Sequence, residues 1–191
     1  MAALLALARA FALETSARTL RFVAFTNEER PLLRTKKMGS RVYAMRCRRR
    51  GEDVVGMVCL ETIGYRSESK WSQRLSLFGL VAPRAGNFIA VVGNRRSRSL
   101  LRAAAPSFRR HSSVPCETFT LPTNFPGAWS SDHWSFWKEG YPALMVTDTA
   151  PLRYPYYHKP EDTPDKLDYE FLRDVVEGLR GVVSDLVAVE P

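Results

Sequence analysis

Cysteine and histidine are both scarce in this 191-residue sequence, at three residues each. Cys47, Cys59 and Cys116 show no CxxC spacing and have no histidine at zinc-finger distance, which argues against a structural zinc site. Their odd number also speaks against a disulfide framework, so buried or idle thiols are expected. No apolar run reaches the roughly 18 residues that a membrane-spanning helix needs. Repeats and low-complexity tracts are absent, which sets solenoids and disordered polar chains aside. Lysine is sparse: 22 of the 28 basic residues are arginine, and against 20 acidic residues they leave a net charge of +8. That balance permits an anionic partner without identifying one.

What is present suffices for one core. Hydrophobic residues make up 45% and aromatics 11%, and the length fits a single domain over 1–191. Residues 1–12, MAALLALARAFA, superficially resemble a signal peptide. However, no positive region precedes the apolar stretch, and Arg9 interrupts it. An amphipathic helix accounts for the segment better, with Leu4, Leu5, Leu7, Ala8, Phe11 and Leu13 along one side.

Further along, short apolar runs predict buried strands at 20–25, 54–60, 88–92 and 143–147. Helices are expected at 38–46, 97–105, 131–139 and from about Asp168 to the C-terminal region. That last helix carries Phe171, Leu172, Val175, Val176, Leu179, Val182, Val183 and Leu186 on one face. Residues 26–37, 66–86, 115–127 and 148–165 read as loops, the last punctuated by Pro151, Pro155, Pro160 and Pro164. Strands alternating with helices predict an α/β fold: a three-layer α-β-α arrangement around a twisted mixed sheet.

In such folds chemistry collects in the loops beyond the strand ends. Asn27, Glu28 and Glu29 follow the first predicted strand, Glu61 the second, and Asp148 and then His158 the fourth. Oxygen and imidazole donors from separate loops suit a zinc site in a hydrolase. Taken alone, Glu28-Glu29 reads better as a solvated turn and His158 as an ordinary loop histidine. Trp129, Trp134 and Trp137 can line an apolar pocket or pack into the core.

The order of motifs carries more weight. FTNEERPLLRTKKMGSRVYA, LETIGY, GNFIAVVGN, SDHWSFWKEGYPALMVTDT and YYHKPEDTPDKLDYEFL follow one another through nearly the whole chain. Together they resemble the co-catalytic zinc aminopeptidases, a family that also includes glutamate carboxypeptidase and the animal glutaminyl cyclases, with a likeness to bacterial members. The resemblance implies a fold and a set of roles. Glu28 matches the general base that activates a zinc-bound water, and Glu29 a carboxylate ligand of one zinc. Glu61 stands where most relatives have an aspartate ligand of the other zinc. His158 matches the imidazole partner of Glu29, and Tyr157 a tyrosine that hydrogen-bonds the developing oxyanion. Asp132, His133 and Trp134 are expected behind the ligands or in the pocket wall. A peptide or aminoacyl compound is the implied substrate.

One departure bears on activity. Relatives carry an earlier His-x-Asp segment and an aspartate bridging two zinc ions. Here no aspartate precedes Asp53 and no histidine precedes His111. The chain is therefore expected to lack the family's first strands and two ligands, to hold one zinc or none, and to turn over poorly. An inactive remnant serving as a binding or structural module, and a glutaminyl-cyclase-like acyltransferase, are the alternatives. Nucleic-acid binding is not expected: the clusters at Arg46, Arg48, Arg49 and Arg50 and at Arg95, Arg96, Arg98 and Arg102 lack interleaved aromatics. An exported or membrane-anchored full-length form is compatible with the sequence.

Overall fold

Four five-residue strands of alternating or continuous apolar character build the sheet. The computed structural model describes residues 1–73 and 83–188. Its strands are β1 (Met57–Glu61), β2 (Ile89–Gly93), β3 (Cys116–Thr120) and β4 (Ala143–Thr147). Its helices are α1 (Ala2–Ala10), α2 (Gly39–Arg49), α3 (Arg98–His111), α4 (His133–Lys138), α5 (Ala150–Arg153) and α6 (Tyr169–Ala188). The strand order is β1-β4-β2-β3. β4 runs parallel to β1 and antiparallel to β2, and β2 runs parallel to β3.

The two-residue period of the strands sorts side chains between two helical layers. Val58, Leu60, Ile89, Val91, Cys116, Leu144 and Val146 face α1, α3 and α6. Met57 and Ala143 face α2 and α4 from the opposite side. β2 and β4 are buried at every position because both lie inside the sheet and between helices. The result is the three-layer mixed-sheet α/β fold that the alternating pattern predicts. No helix among the described residues is long and apolar enough to cross a membrane.

α6 is the longest helix. It buries Phe171, Val175, Leu179 and Val182, with Leu172, Val176 and Leu186 packed beside them. Gly178 and Gly181 let α3 approach closely: a Cβ at Gly178 would lie 2.6 Å from the Phe108 ring, and one at Gly181 would overlap the His111 ring.

Several expectations need correction. Residues 20–25 form no strand. Phe22 packs into the α1/α3/α6 cluster and Phe25 into the α2/α4 cluster, so the run is apolar because it serves both layers. Residues 115–127 are not wholly irregular, since β3 lies within them. As an edge strand β3 needs one ladder only, and Pro115 and Pro122 stand just outside it. The apolar side of α1 is also rotated from the expected one. Ala3 and Leu7 are buried, whereas Leu5 is 52% exposed and Leu13, beyond the helix, 98%. α3 runs on to His111, through Pro106, where the expected helix stopped at 105. The proline-rich stretch after β4 contains the short α5. Part of the predicted 66–86 loop lies outside the described residues.

Overpacking the α3–α6 contact gives a direct test of the upper layer. Gly178→Ala and Gly181→Ala are each expected to destabilise the chain by about 1–3 kcal/mol. Urea unfolding followed by circular dichroism checks this, and unchanged midpoints would contradict the close approach.

Candidate active site

Because β1 and β4 are parallel, Glu61 and Thr147 end them side by side, and the following loops leave from one edge. Those loops are tied together by Asp148. Its Oδ2 accepts the N–H of Gly64 at 2.9 Å and of Tyr65 at 2.8 Å. Its own N–H donates to the Thr62 carbonyl at 2.7 Å. A third segment joins them just before α2. There Gly39 N–H donates to the Thr26 carbonyl at 2.8 Å, and a Cβ on Gly39 would sit 2.8 Å from that same oxygen. Only glycine lets α2 begin against Thr26 and so fixes the stretch leading into Glu28 and Glu29. The N–H groups of Leu32 and Leu33 then both donate to the Glu29 carbonyl at 2.9 Å and turn the chain away.

Non-glycine residues with left-handed backbones mark these loops: Asn27, Thr62, Thr149 and His158, at φ 60, 43, 59 and 57°. Each adjoins a predicted site carboxylate or is itself a predicted site residue. Strained backbone of this kind clusters where function constrains the chain.

The segment before α4 completes the site. The buried Ser131 hydroxyl hydrogen-bonds Cys59 Sγ at 3.3 Å and lies close enough to Glu28 and Glu61 to offset part of the rise in both their pKa values. A serine hydroxyl has one proton to donate, so it cannot satisfy both carboxylates as donor at once. Ser40, whose hydroxyl pairs with that of Ser135 at 2.9 Å, lies near Asp132, and Asp132 Oδ1 is buried without a hydrogen-bond partner among the described residues. Asp148 Oδ1 is likewise buried and unpartnered.

Crowding of acids in a half-dry site shifts their protonation. Burial, with the charges of Glu61, Asp132 and Glu29, pushes Glu28 up to about 7. Burial, with neighbouring carboxylates, raises Glu61 despite the nearby Ser131 hydroxyl. Burial likewise raises Asp132 and Asp148. Tyr157 is pushed up to about 12, by burial first and then by Glu61, Glu29 and Glu28.

The predicted residues therefore fall into groups. Glu28, Glu61 and Tyr157 feel one another electrostatically, and Glu29 joins them from a more exposed position. His158 Nε2 lies 3.9 Å from Glu29 Oε2, with both side chains open to solvent. His133 sits apart from solvent altogether. Its Nε2 is 2.7 Å from the Ala128 carbonyl, its ring meets the Trp137 ring edge-on, and burial drops its pKa to about 4. At neutral pH it is an uncharged packing residue under α4 rather than an open pocket wall. Trp134 is buried and lies under Arg34, while Trp137 belongs to the core and donates from Nε1 to the Ala143 carbonyl at 2.9 Å. Ser131 had no role in the sequence-based set, and Asp148 stood there only as a strand-end acid without an assigned task. Both stand in the loops that the strand-end rule points to, but their burial shows only in three dimensions.

A zinc ion holds its ligands at 2.0–2.2 Å, which sets roughly 3.4 Å between neighbouring donors. The Glu29–His158 pair comes near that spacing, and its donor types suit zinc. Among the described residues, however, no three His, Cys, Asp or Glu side chains form a group able to hold a metal, so Glu29, Glu61 and His158 are not such a group. The residues fit part of a zinc site. A concavity of about 700 Å³ lies elsewhere, between α1, the 14–22 segment and the end of α6.

The sequence profile of peptidase family M28 matches residues 1–183. The chain belongs to that family. It is 34% identical over 181 residues to the uncharacterized protein YfbL of Escherichia coli (strain K12), covering 94% of this chain and 55% of the relative. LapA aminopeptidase of Legionella pneumophila matches its fold with a TM-score of 0.74 at 20% identity, over 98% of this chain and 44% of that protein. The aminopeptidase of Aneurinibacillus sp. strain AM-1 matches with a TM-score of 0.63 at 27% identity, over 95% and 37% respectively. The chain thus spans about half the length of the relatives it matches, or less.

The acid cluster of this M28 chain makes a pH prediction. Without metal, folded Glu28 keeps its proton up to about pH 7, whereas an unfolded glutamate releases it near 4.5. Between those values the folded state binds more protons, so the group's contribution falls as pH rises through the window. In chelator, Glu28→Gln is expected to be more stable than the parent above pH 7, by about 1 kcal/mol after allowance for partial exposure. The difference should vanish below about pH 4.5. Thermal melts at several pH values decide it: a difference that grew toward low pH would contradict the crowding.

Proposed function

We propose that this M28 chain carries the proton-handling residues and part of the metal-binding residues of a zinc-dependent exopeptidase of the aminopeptidase kind. The observation that supports this most is the crowding of Glu28 and Glu61 near the buried Ser131 hydroxyl, beside the Glu29–His158 pair at 3.9 Å. Glu29 and His158 would hold a zinc ion, with Glu61 turned toward the same space. Zinc bound there supplies Lewis acidity, lowering the pKa of a water and polarising an amide carbonyl.

The chain's own residues do the rest. Glu28, with a pKa near neutrality, takes a proton from water and passes it to the leaving amine. Ser131, close to both acids, can donate its one hydrogen to Glu28 or to Glu61, one at a time. Tyr157, protonated up to about pH 12, can donate its phenol hydrogen to the carbonyl oxygen as negative charge develops there. Asp148 keeps the two strand-end loops in register and touches no substrate.

The family's earlier histidine and bridging aspartate have no counterpart among these 191 residues. We read the donor set present as enough for one weakly held zinc and little turnover. Calorimetric titration with zinc should find a single weak site that disappears in Glu29→Gln and in His158→Ala. A longer chain that adds a His-x-Asp segment and a bridging aspartate should bind zinc more tightly and hydrolyse an aminoacyl anilide. In that chain Glu28→Gln should lower kcat by about 100-fold or more and leave the metal bound. If the two chains showed equal, Glu28-dependent rates, the account of the missing ligands would be overturned. If neither bound zinc, a non-catalytic module would be the better reading.

A further inference from the structure

A guanidinium lies over two indole rings beside the acid cluster. Arg34 Cζ is 4.2 Å from the centre of the Trp129 ring and 5.5 Å from that of Trp134. Lys138 Nζ is 5.7 Å from the Trp134 ring. Arg34 is five residues past Glu29, on the turn closed by the Leu33 N–H to the Glu29 carbonyl. Trp134 is two residues past Asp132, one of the charges that raises Glu28. Both partners of the stack therefore belong to the segments that form the site.

Arg34 is exposed and its backbone is left-handed at φ 64°, a conformation that non-glycine residues seldom adopt. Among the described residues its only contacts of this kind are with the two indoles: it makes no hydrogen bond or ion pair. Arg153 shows the contrast. It also stacks on a ring, that of Phe88 at 4.4 Å, but it is buried and donates to Gln73, Thr149, Gly86 and Phe88. Arg153 uses its donors to hold the fold. Arg34 has its plane fixed by aromatic contact and its N–H edge open to solvent. A fixed guanidinium edge matches the two oxygens of a carboxylate. The floor of the site, with Glu28, Glu29, Glu61, Asp132 and Asp148, would repel such a group unless a cation stood at the rim.

We propose that Arg34, stacked on Trp129 and Trp134, is a specificity-determining residue that binds a carboxylate of the substrate peptide. The inference rests on the exopeptidase reading, since it takes the acid cluster to be where a peptide docks. The carboxylate can be the peptide's own C-terminus or an acidic side chain next to the scissile bond.

Calorimetry on the intact, zinc-supplemented chain separates these sources with three dipeptides: leucyl-alanine, leucyl-alanine amide and leucyl-aspartate amide. At least one acid is expected to bind tenfold or more tightly than the neutral amide. Preference for leucyl-alanine identifies the terminal carboxylate, and preference for leucyl-aspartate amide the side chain. Arg34→Ala should abolish the preference, and Arg34→Lys, which keeps the charge but loses the fork, should retain only part of it. Residue 34 is exposed, and circular dichroism confirms that the variants fold. A merely structural stack would leave the acid-to-amide ratio unchanged. Equal affinities in the parent, a preference that survives Arg34→Ala, or no binding of any dipeptide overturns the proposal. Zinc uptake by the parent, measured alongside, judges the exopeptidase reading separately: intact uptake without acid preference removes the carboxylate site alone.

Discussion

A single buried carboxylate holds the working edge of the sheet together. Asp148 is almost wholly removed from water, and it accepts two backbone N–H groups from the loop after β1 while itself beginning the loop after β4. A carboxylate in such surroundings is costly unless its oxygens are satisfied, and those two bonds are the compensation. The Thr62 carbonyl, the direction in which Glu61 leaves its strand, and the path toward Tyr157 all follow from that tie. The parallel pairing of β1 and β4 brings the strand ends together, and Asp148 turns their proximity into a fixed geometry.

Around that tie the dominant physical fact is an excess of negative charge with too few protons to share. Ser131 has one hydrogen and two acids near it, and Oδ1 of both Asp132 and Asp148 has no hydrogen-bond partner among the described residues. Either a proton or a cation has to be taken up nearby to relieve the repulsion. The exposed Glu29–His158 pair is the place where a cation would be reached first from solvent. The buried acids behind it add an electrostatic pull.

Much of this was legible in the residue order, for identifiable reasons. Strand-end logic pointed to Glu61, Asp148 and His158, because short apolar runs end abruptly where polar loops begin, and to Glu28 from a run at 20–25 that forms no strand. α6 was legible because Phe171, Val175, Leu179 and Val182 repeat at helical spacing. Residues 20–25 misled because two cores on opposite sides of the sheet draw on one apolar run. β3 escaped because an edge strand need be apolar on one side only, and flanking prolines masked it. His133 was expected behind the ligands or in the pocket wall, and its complete burial shows only in three dimensions. The role of Ser131 depends on distances between segments remote in sequence, which no local pattern encodes.

The left-handed backbone at His158 has an evolutionary consequence. A glycine there would sit without strain, so replacing the histidine would relax the loop even as it removed an imidazole from beside Glu29. On the proposed zinc reading, stability and ligand retention therefore pull in opposite directions at this position. A lineage selected only to stay folded would drift toward losing the histidine, whereas one that still needed a metal would bear the strain. Asn27, Thr62 and Thr149 bear the same backbone strain with no such imidazole to keep.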